Sequence, residues 1–301
     1  MKTTVPITRR SLLGWAPVGF AGALAAPHDR PLGLALYTVR DALRERPDEV
    51  LKVIADIGYT EVEIVRNQLA IVGPRLVRFG LRPISVHFET PLITGNFQAW
   101  KDADMPPVNE RDTFERVLEE ARAAGIANVV FNYLPPKERG ELDYYRGLAD
   151  RLNLAAEKCQ AAGLKLWYHN HNFEFAQKTG GRPIDILLNR LDAKLISLEV
   201  DLFWVSMAGE DPAAYVRRNA GRVVAVHLKD RARHAVVPRF DIASVPKDTY
   251  EEVGRGELNF AEILQATATA GIRHYFVEQD HSPDPLLSIR RSYLAVRRLA
   301  F

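Results

Sequence analysis

Four segments of helical period in this chain end alike, on a glycine that runs into an apolar, β-prone stretch. They are Asp56-Ile57-Gly58-Tyr59, Ala123-Ala124-Gly125-Ile126, Ala161-Ala162-Gly163-Leu164 and Thr269-Ala270-Gly271-Ile272. Glycine accepts the left-handed conformation that closes a helix, so each marks a helix turning back into a strand. The runs with strand character are Leu32 to Tyr37, Thr60 to Ile64, Arg82 to His87, Asn128 to Asn132, Lys165 to His169, Leu195 to Val200, Val223 to Leu228 and His274 to Glu278. Helical segments lie between them, including Arg40 to Ile57, Arg111 to Ala124, Tyr144 to Ala162 and Phe260 to Ala270. Strands alternating with helices make a parallel sheet, and eight close most economically as an α/β protein of the (β/α)8 barrel type. An open doubly wound sheet lacks support, since no Gly-x-Gly-x-x-Gly turn follows the first strand.

The first 26 residues read as something else. Thr8-Arg9-Arg10-Ser11-Leu12-Leu13-Gly14 is a twin-arginine pattern, followed by a weakly apolar stretch and small residues around Ala25. The expectation is a cleaved twin-arginine export signal over residues 1–26, a periplasmic protein, and a single barrel domain over 27–301. The apolar stretch is too short and too interrupted by Pro17 and glycine to span a membrane. Losing Lys2, Arg9 and Arg10 with the leader takes 40 basic residues to 37 against 38 acidic ones, and the formal charge from +2 to −1. No basic footprint for nucleic acid remains. The lone Cys159 excludes an intramolecular disulfide. Pairing with a second copy into a homo-oligomer is left open, because a barrel's helical exterior carries no distinctive mark of it.

In such a barrel the carboxyl ends of the strands build the active face. His87, His169, His171, His227 and His281 fall at or just beyond strand ends, interleaved with carboxylates; His28, His234 and His274 do not. Two long loops, about 88–110 and 231–253, are expected to wall or cover that face. Strand parity puts Glu199 and Asp201 on one inward face, with His227 and Glu278 inward on the next two strands. Asp201, His227 and Glu278 thus form an oxygen-and-imidazole set suited to a divalent metal ion, Mn, Mg, Co or Zn.

Read in order, Gly33-Leu-Ala-Leu-Tyr37-Thr-Val-Arg40-Asp41, Tyr168-His-Asn-His-Asn-Phe-Glu174-Phe, Glu199-Val-Asp201-Leu-Phe-Trp204, Val226-His227-Leu-Lys229-Asp230, Gly254-Arg-Gly-Glu-Leu-Asn-Phe260 and Val277-Glu278-Gln-Asp280 resemble the sugar phosphate isomerase/epimerase family of xylose-isomerase-like barrels. The resemblance implies a metal held by Asp201, His227, Glu278 and a fourth ligand from strand five. There the usual glutamate position matches His169, leaving Glu174 as the expected fourth ligand and His169 or His171 as its rivals. It also implies enediolate chemistry on an unphosphorylated sugar, keto-sugar or 3-keto glycoside, giving isomerisation or epimerisation. The same intermediate permits β-elimination, and a sugar-binding barrel without turnover is a further alternative. Expected proton carriers are Glu174, Glu278, His171 and Lys229, although Lys229 has a salt bridge to Asp230 as its competing role. Expected substrate contacts are Tyr37, Arg40, His87, His169 and Trp204.

Overall fold

A computed structural model describes residues 30–109 and 111–299. The twin-arginine segment lies outside them. The described residues form ten strands: β1 (Gly33–Ala35), β2 (Glu61–Val65), β3 (Arg82–His87), β4 (Asn128–Phe131), β5 (Lys165–His169), β6 (Ile196–Asp201), β7 (Val223–Leu228), β8 (Asp230–Arg231), β9 (Tyr250–Glu251) and β10 (His274–Val277). Eight of these pair in parallel around a closed barrel, β1-β10-β7-β6-β5-β4-β3-β2. Sequence did not announce β8 and β9, a two-residue antiparallel pair that ties down the base of the long loop after β7.

Each barrel strand has two buried faces with different jobs. Outward residues such as Val62, Ile64, Val129, Leu166, Val200 and Val226 join the large apolar shell shared with the surrounding helices. Inward, Ala35, Ile84, Val130, Trp167, Ala225 and Phe276 fill the middle of the barrel. Gly33 is required for this filling, since a Cβ there would lie 2.5 Å from the Phe276 ring. This plug lies below the polar groups, and the cavity that reaches them is lined by residues of the carboxyl-end rim.

The helix expected over Arg40 to Ile57 is two helices, Arg40–Glu45 and Pro47–Ile57. Pro47 cannot donate a backbone hydrogen bond, which stops the first helix and suits the first position of the second. Gly58 then closes that second helix at φ +116°, in the left-handed region its glycine signature demands. No helix among the described residues is long and apolar enough to cross a membrane.

Candidate active site

β2, β3, β5, β6, β7 and β10 deliver a dense set of ionisable side chains to the carboxyl end of the barrel. Asp201 Oδ2, Glu278 Oε2 and Asp280 Oδ2 surround the ammonium of Lys229 at 3.1, 2.7 and 2.7 Å. Lys229 and Asp201 are fully buried, and Glu278 reaches the cavity. Burial works against the Lys229 charge, but Asp201, Asp280 and Glu278 hold its pKa well above the usual range. Desolvation likewise opposes the Glu278 charge, yet Lys229 and His227 keep that carboxyl well below its ordinary value. Asp280 is pushed up to about 6 by burial, with Lys229 pulling the other way. The expected alternative partner, Asp230, is occupied elsewhere: its carboxylate accepts the N–H groups of Gly254, Gly256 and Leu258 and so pins the loop beside the site.

Beneath this layer lies a second group that sequence reasoning largely missed. Glu63 Oε1 is 2.7 Å from His227 Nε2 and 2.9 Å from His87 Nε2, while Ser85 donates to its other oxygen. Glu199 Oε2 is 3.1 Å from His169 Nδ1 and 3.2 Å from His87 Nε2. Against the cost of desolvation, His87 and His227 hold the Glu63 carboxyl well below the usual range. Desolvation and the nearby Glu63 instead push Glu199 up to about 8. The register of β2 against β3 shifts between Val62 and Glu63, and that of β6 against β7 between Leu198 and Glu199. Such irregularities re-aim a side chain, and here each immediately precedes a buried acid. The available signal for Glu63 was Glu-Val-Glu-Ile-Val: with Val62 and Ile64 facing helices, parity sends both glutamates inward.

Among the described residues, two groups of donor atoms lie mutually within 4.8 Å: Asp201, His227 and Glu278, and His87, His169, Glu199 and His227. The first is the set parity picked out. Its mix of two carboxylates and one imidazole, already gathered round a positive charge, fits a hard or borderline divalent ion with positions left open.

Strand five departs from expectation. Glu174 belongs to neither group. It sits in a 3-10 turn, where its Oε1 accepts from the His171 N–H at 3.3 Å. Its carboxyl meets the Tyr168 hydroxyl, and burial pushes it up to about 8. Tyr168 belongs to the outer apolar shell, so Glu174 faces the layer behind the strand and not the barrel axis. His169, the inward residue at the end of β5, points Nδ1 at Glu199 and has Nε2 3.8 Å from Asp201 Oδ2.

A cavity of about 580 Å³ opens above the cluster. Glu63, His87, His169, His171, Lys229, Glu278 and Asp280 form its polar floor. Tyr37, Arg40, Trp204 and His281 also line it, so every expected substrate contact faces this space. Trp100 and Met105 from the loop after β3, Tyr133 after β4, and Tyr250 at β9 add an apolar wall that sequence did not identify. Burial, with Lys229 and Arg139 adding to it, holds the His171 pKa well below normal, so its imidazole is neutral.

The architecture and its rim thus define a (β/α)8 barrel with a buried carboxylate–imidazole centre beneath a mixed polar and aromatic cavity. The chain belongs to the xylose isomerase-like TIM barrel family, whose model matches residues 51–292. It is 37% identical over 204 residues to an inosose dehydratase of Geobacillus kaustophilus, covering 63% of each chain. It is 29% identical over 146 residues to inosose dehydratase 2 of Bacillus cereus, covering 47% of this chain and 48% of that one. The chain thus spans about half the length of several curated relatives it matches. Solved structures sharing the fold include a sugar phosphate isomerase/epimerase from Parabacteroides distasonis, at TM-score 0.70 and 20% identity, covering 92% of this chain and 97% of that one. Another is the IolI protein with a bound zinc atom, at TM-score 0.65 and 14% identity, covering 90% and 99%.

Proposed function

We propose that this protein is a divalent-metal-dependent lyase that removes the proton next to the carbonyl of a cyclic keto-polyol or keto-sugar and expels the β-oxygen substituent. The observation that carries this reading is the Asp201, His227, Glu278 set beside Lys229 on the floor of a sugar-sized cavity. A divalent ion held by that set would supply Lewis acidity toward the substrate carbonyl oxygen. Lys229, kept charged by its carboxylates, donates to the same oxygen as negative charge grows there. Glu278, ionised and open to the cavity, accepts the proton. Glu278, protonated by that step, returns the proton to the departing oxygen, to which the neutral His171 ring on the cavity wall offers an N–H hydrogen bond. Trp204, Tyr250 and Trp100 exclude water and offer apolar faces to the ring's C–H bonds.

Elimination is favoured over isomerisation or epimerisation because the aligned relatives are named dehydratases. Both outcomes share the first proton transfer, so product analysis separates them. Metal-loaded protein incubated with inososes, 3-keto-glucosides and simple ketoses should produce an absorbing enone or enediol and release water or the aglycone. Epimerised substrate with no elimination product would replace the lyase reading by the epimerase one. Export to the periplasm belongs to the same proposal, since an unphosphorylated substrate suits it. The test is whether a fusion of the first 30 residues to a reporter reaches the periplasm and stops when Arg9 and Arg10 become lysine.

A further inference from the structure

We propose that His87, His169 and Glu199 form a second cation site beneath the Asp201, His227, Glu278 set, taking a divalent ion of the zinc or cobalt type. The inference does not depend on the reaction proposed above. It starts from hydrogen-bond bookkeeping. Five contacts under 3.3 Å join a ring nitrogen to a carboxylate oxygen: His87 Nε2 to Glu63 and to Glu199, His169 Nδ1 to Glu199, His227 Nε2 to Glu63, and His227 Nδ1 to Glu278. These five contacts use four ring nitrogens, because His87 Nε2 serves two of them, whereas three neutral rings carry three N–H groups. The fourth nitrogen sets its lone pair against a carboxylate oxygen unless a proton or a metal ion stands between them.

The geometry assigns each ring to one site, because a neutral imidazole has one lone pair to give. His227 offers Nδ1 to the upper set and donates Nε2–H to Glu63 at 2.7 Å, the supporting carboxylate a metal-bound histidine normally has. His169 offers Nδ1 to the lower site and keeps Nε2–H toward Asp201 Oδ2, 3.8 Å away. His87 Nε2 and Glu199 complete the lower set. The second Glu199 oxygen, Oε1, is buried without a hydrogen-bond partner, an expensive state for a carboxylate unless an ion uses it. Two imidazoles and a carboxylate, with no thiolate, favour zinc or cobalt over magnesium. Glu63, His87 and His169 line the cavity, so an ion can enter from the mouth.

The full chain, stripped with chelator and reloaded with Co²⁺ by equilibrium dialysis, tests this by ions bound per chain and by the cobalt d–d spectrum. Two ions are expected in the wild type. Glu199→Gln and His87→Ala should each leave one and lose one spectral component, while Glu278→Gln removes the other. Circular dichroism establishes that each variant is folded, and His87→Gln stands in should the alanine variant fail. A single ion lost in Glu199→Gln but kept in Glu278→Gln would uphold the lower site and reject the metal-dependent reading of the upper one. No ion, a single ion insensitive to Glu199→Gln and His87→Ala, a single ion lost in both sets of variants, or two ions retained throughout would each overturn the second site.

Discussion

β2 carries two inward glutamates two residues apart, and they live in opposite worlds. Glu61, at the amino end of the barrel, is held between the Arg82 guanidinium and His274 Nδ1, the latter at 2.9 Å. Glu61, Arg82 and His274 do not line the large cavity. Glu63, at the carboxyl end, shares its histidines with Glu199 and lies on the floor of the large cavity. Both glutamates are buried and both touch imidazole. What separates them is supply: below the Phe276 and Trp167 plug, one acid has its own guanidinium and imidazole; above it, acids outnumber the fixed cations. A satisfied buried charge is structure, and an unsatisfied one facing a cavity is a site.

The largest expected effect tests the upper end. Glu278→Gln keeps the shape but removes both a ligand and the proton acceptor, so kcat/KM should fall by at least about 10²–10⁴-fold with the circular dichroism spectrum unchanged. Activity within a few-fold of wild type would erase the functional contrast between the two ends. Lys229→Met should cost about 10²–10³-fold in kcat, the loss typical of one donor to a developing oxyanion. If KM alone moves, Lys229 only binds substrate.

The lower end predicts the opposite pattern. Glu61→Gln breaks a buried ion pair whose Arg82 partner is largely solvated, so stability in urea should drop by about 1–3 kcal/mol, less than for a fully buried pair, with activity per folded molecule intact. Catalytic loss exceeding the loss of folded protein would mean the two ends communicate.

Glu174 supplies a smaller, pH-dependent effect behind the site. Its folded pKa is raised to about 8, chiefly by desolvation, whereas an unfolded glutamate titrates near about 4.3. The folded state therefore holds a proton that the unfolded chain releases, and stability declines as pH rises from the lower value through the higher one. Glu174→Gln should match wild type near pH 4 and melt at a higher temperature by pH 8. A constant difference across that range would show that Glu174 is already ionised in the fold. Smallest of all, Lys52→Ala at the exposed Lys52–Asp56 pair should shift stability by at most about 0.5 kcal/mol.

Much of this arrangement was legible because it follows from periodicity. The alternation of strand and helix, punctuated by glycines such as Gly58 and Gly163, led to the closed barrel, and parity alone put Asp201, His227 and Glu278 on inward faces of adjacent strands. Parity stops at the strand end. Glu174 lies five residues past the end of β5, in a turn whose course depends on Tyr168 and its apolar neighbours, so its placement behind the strand was beyond a two-residue rule. Glu63 was readable but passed over, since two glutamates in a short valine-rich run look like a solvated edge until the barrel closes around them. The register shifts at Glu63 and Glu199, which bring His87, His169 and His227 onto two acids, have no local sequence mark. The aromatic wall of Trp100, Tyr133 and Tyr250 comes from the connections between barrel strands, whose packing depends on contacts far away in the chain.

Hydrogen exchange at the carbon beside a substrate carbonyl, followed by NMR in D₂O, reaches the central claim directly. Protein loaded with Mn²⁺, Co²⁺ or Zn²⁺ should wash deuterium into a keto-polyol or keto-sugar, lose that ability when stripped with chelator, and regain it when the ion is restored. Equal exchange by stripped and loaded protein, or none with any member of a broad carbonyl panel, would contradict a cation-assisted proton transfer at the carboxyl end of this barrel.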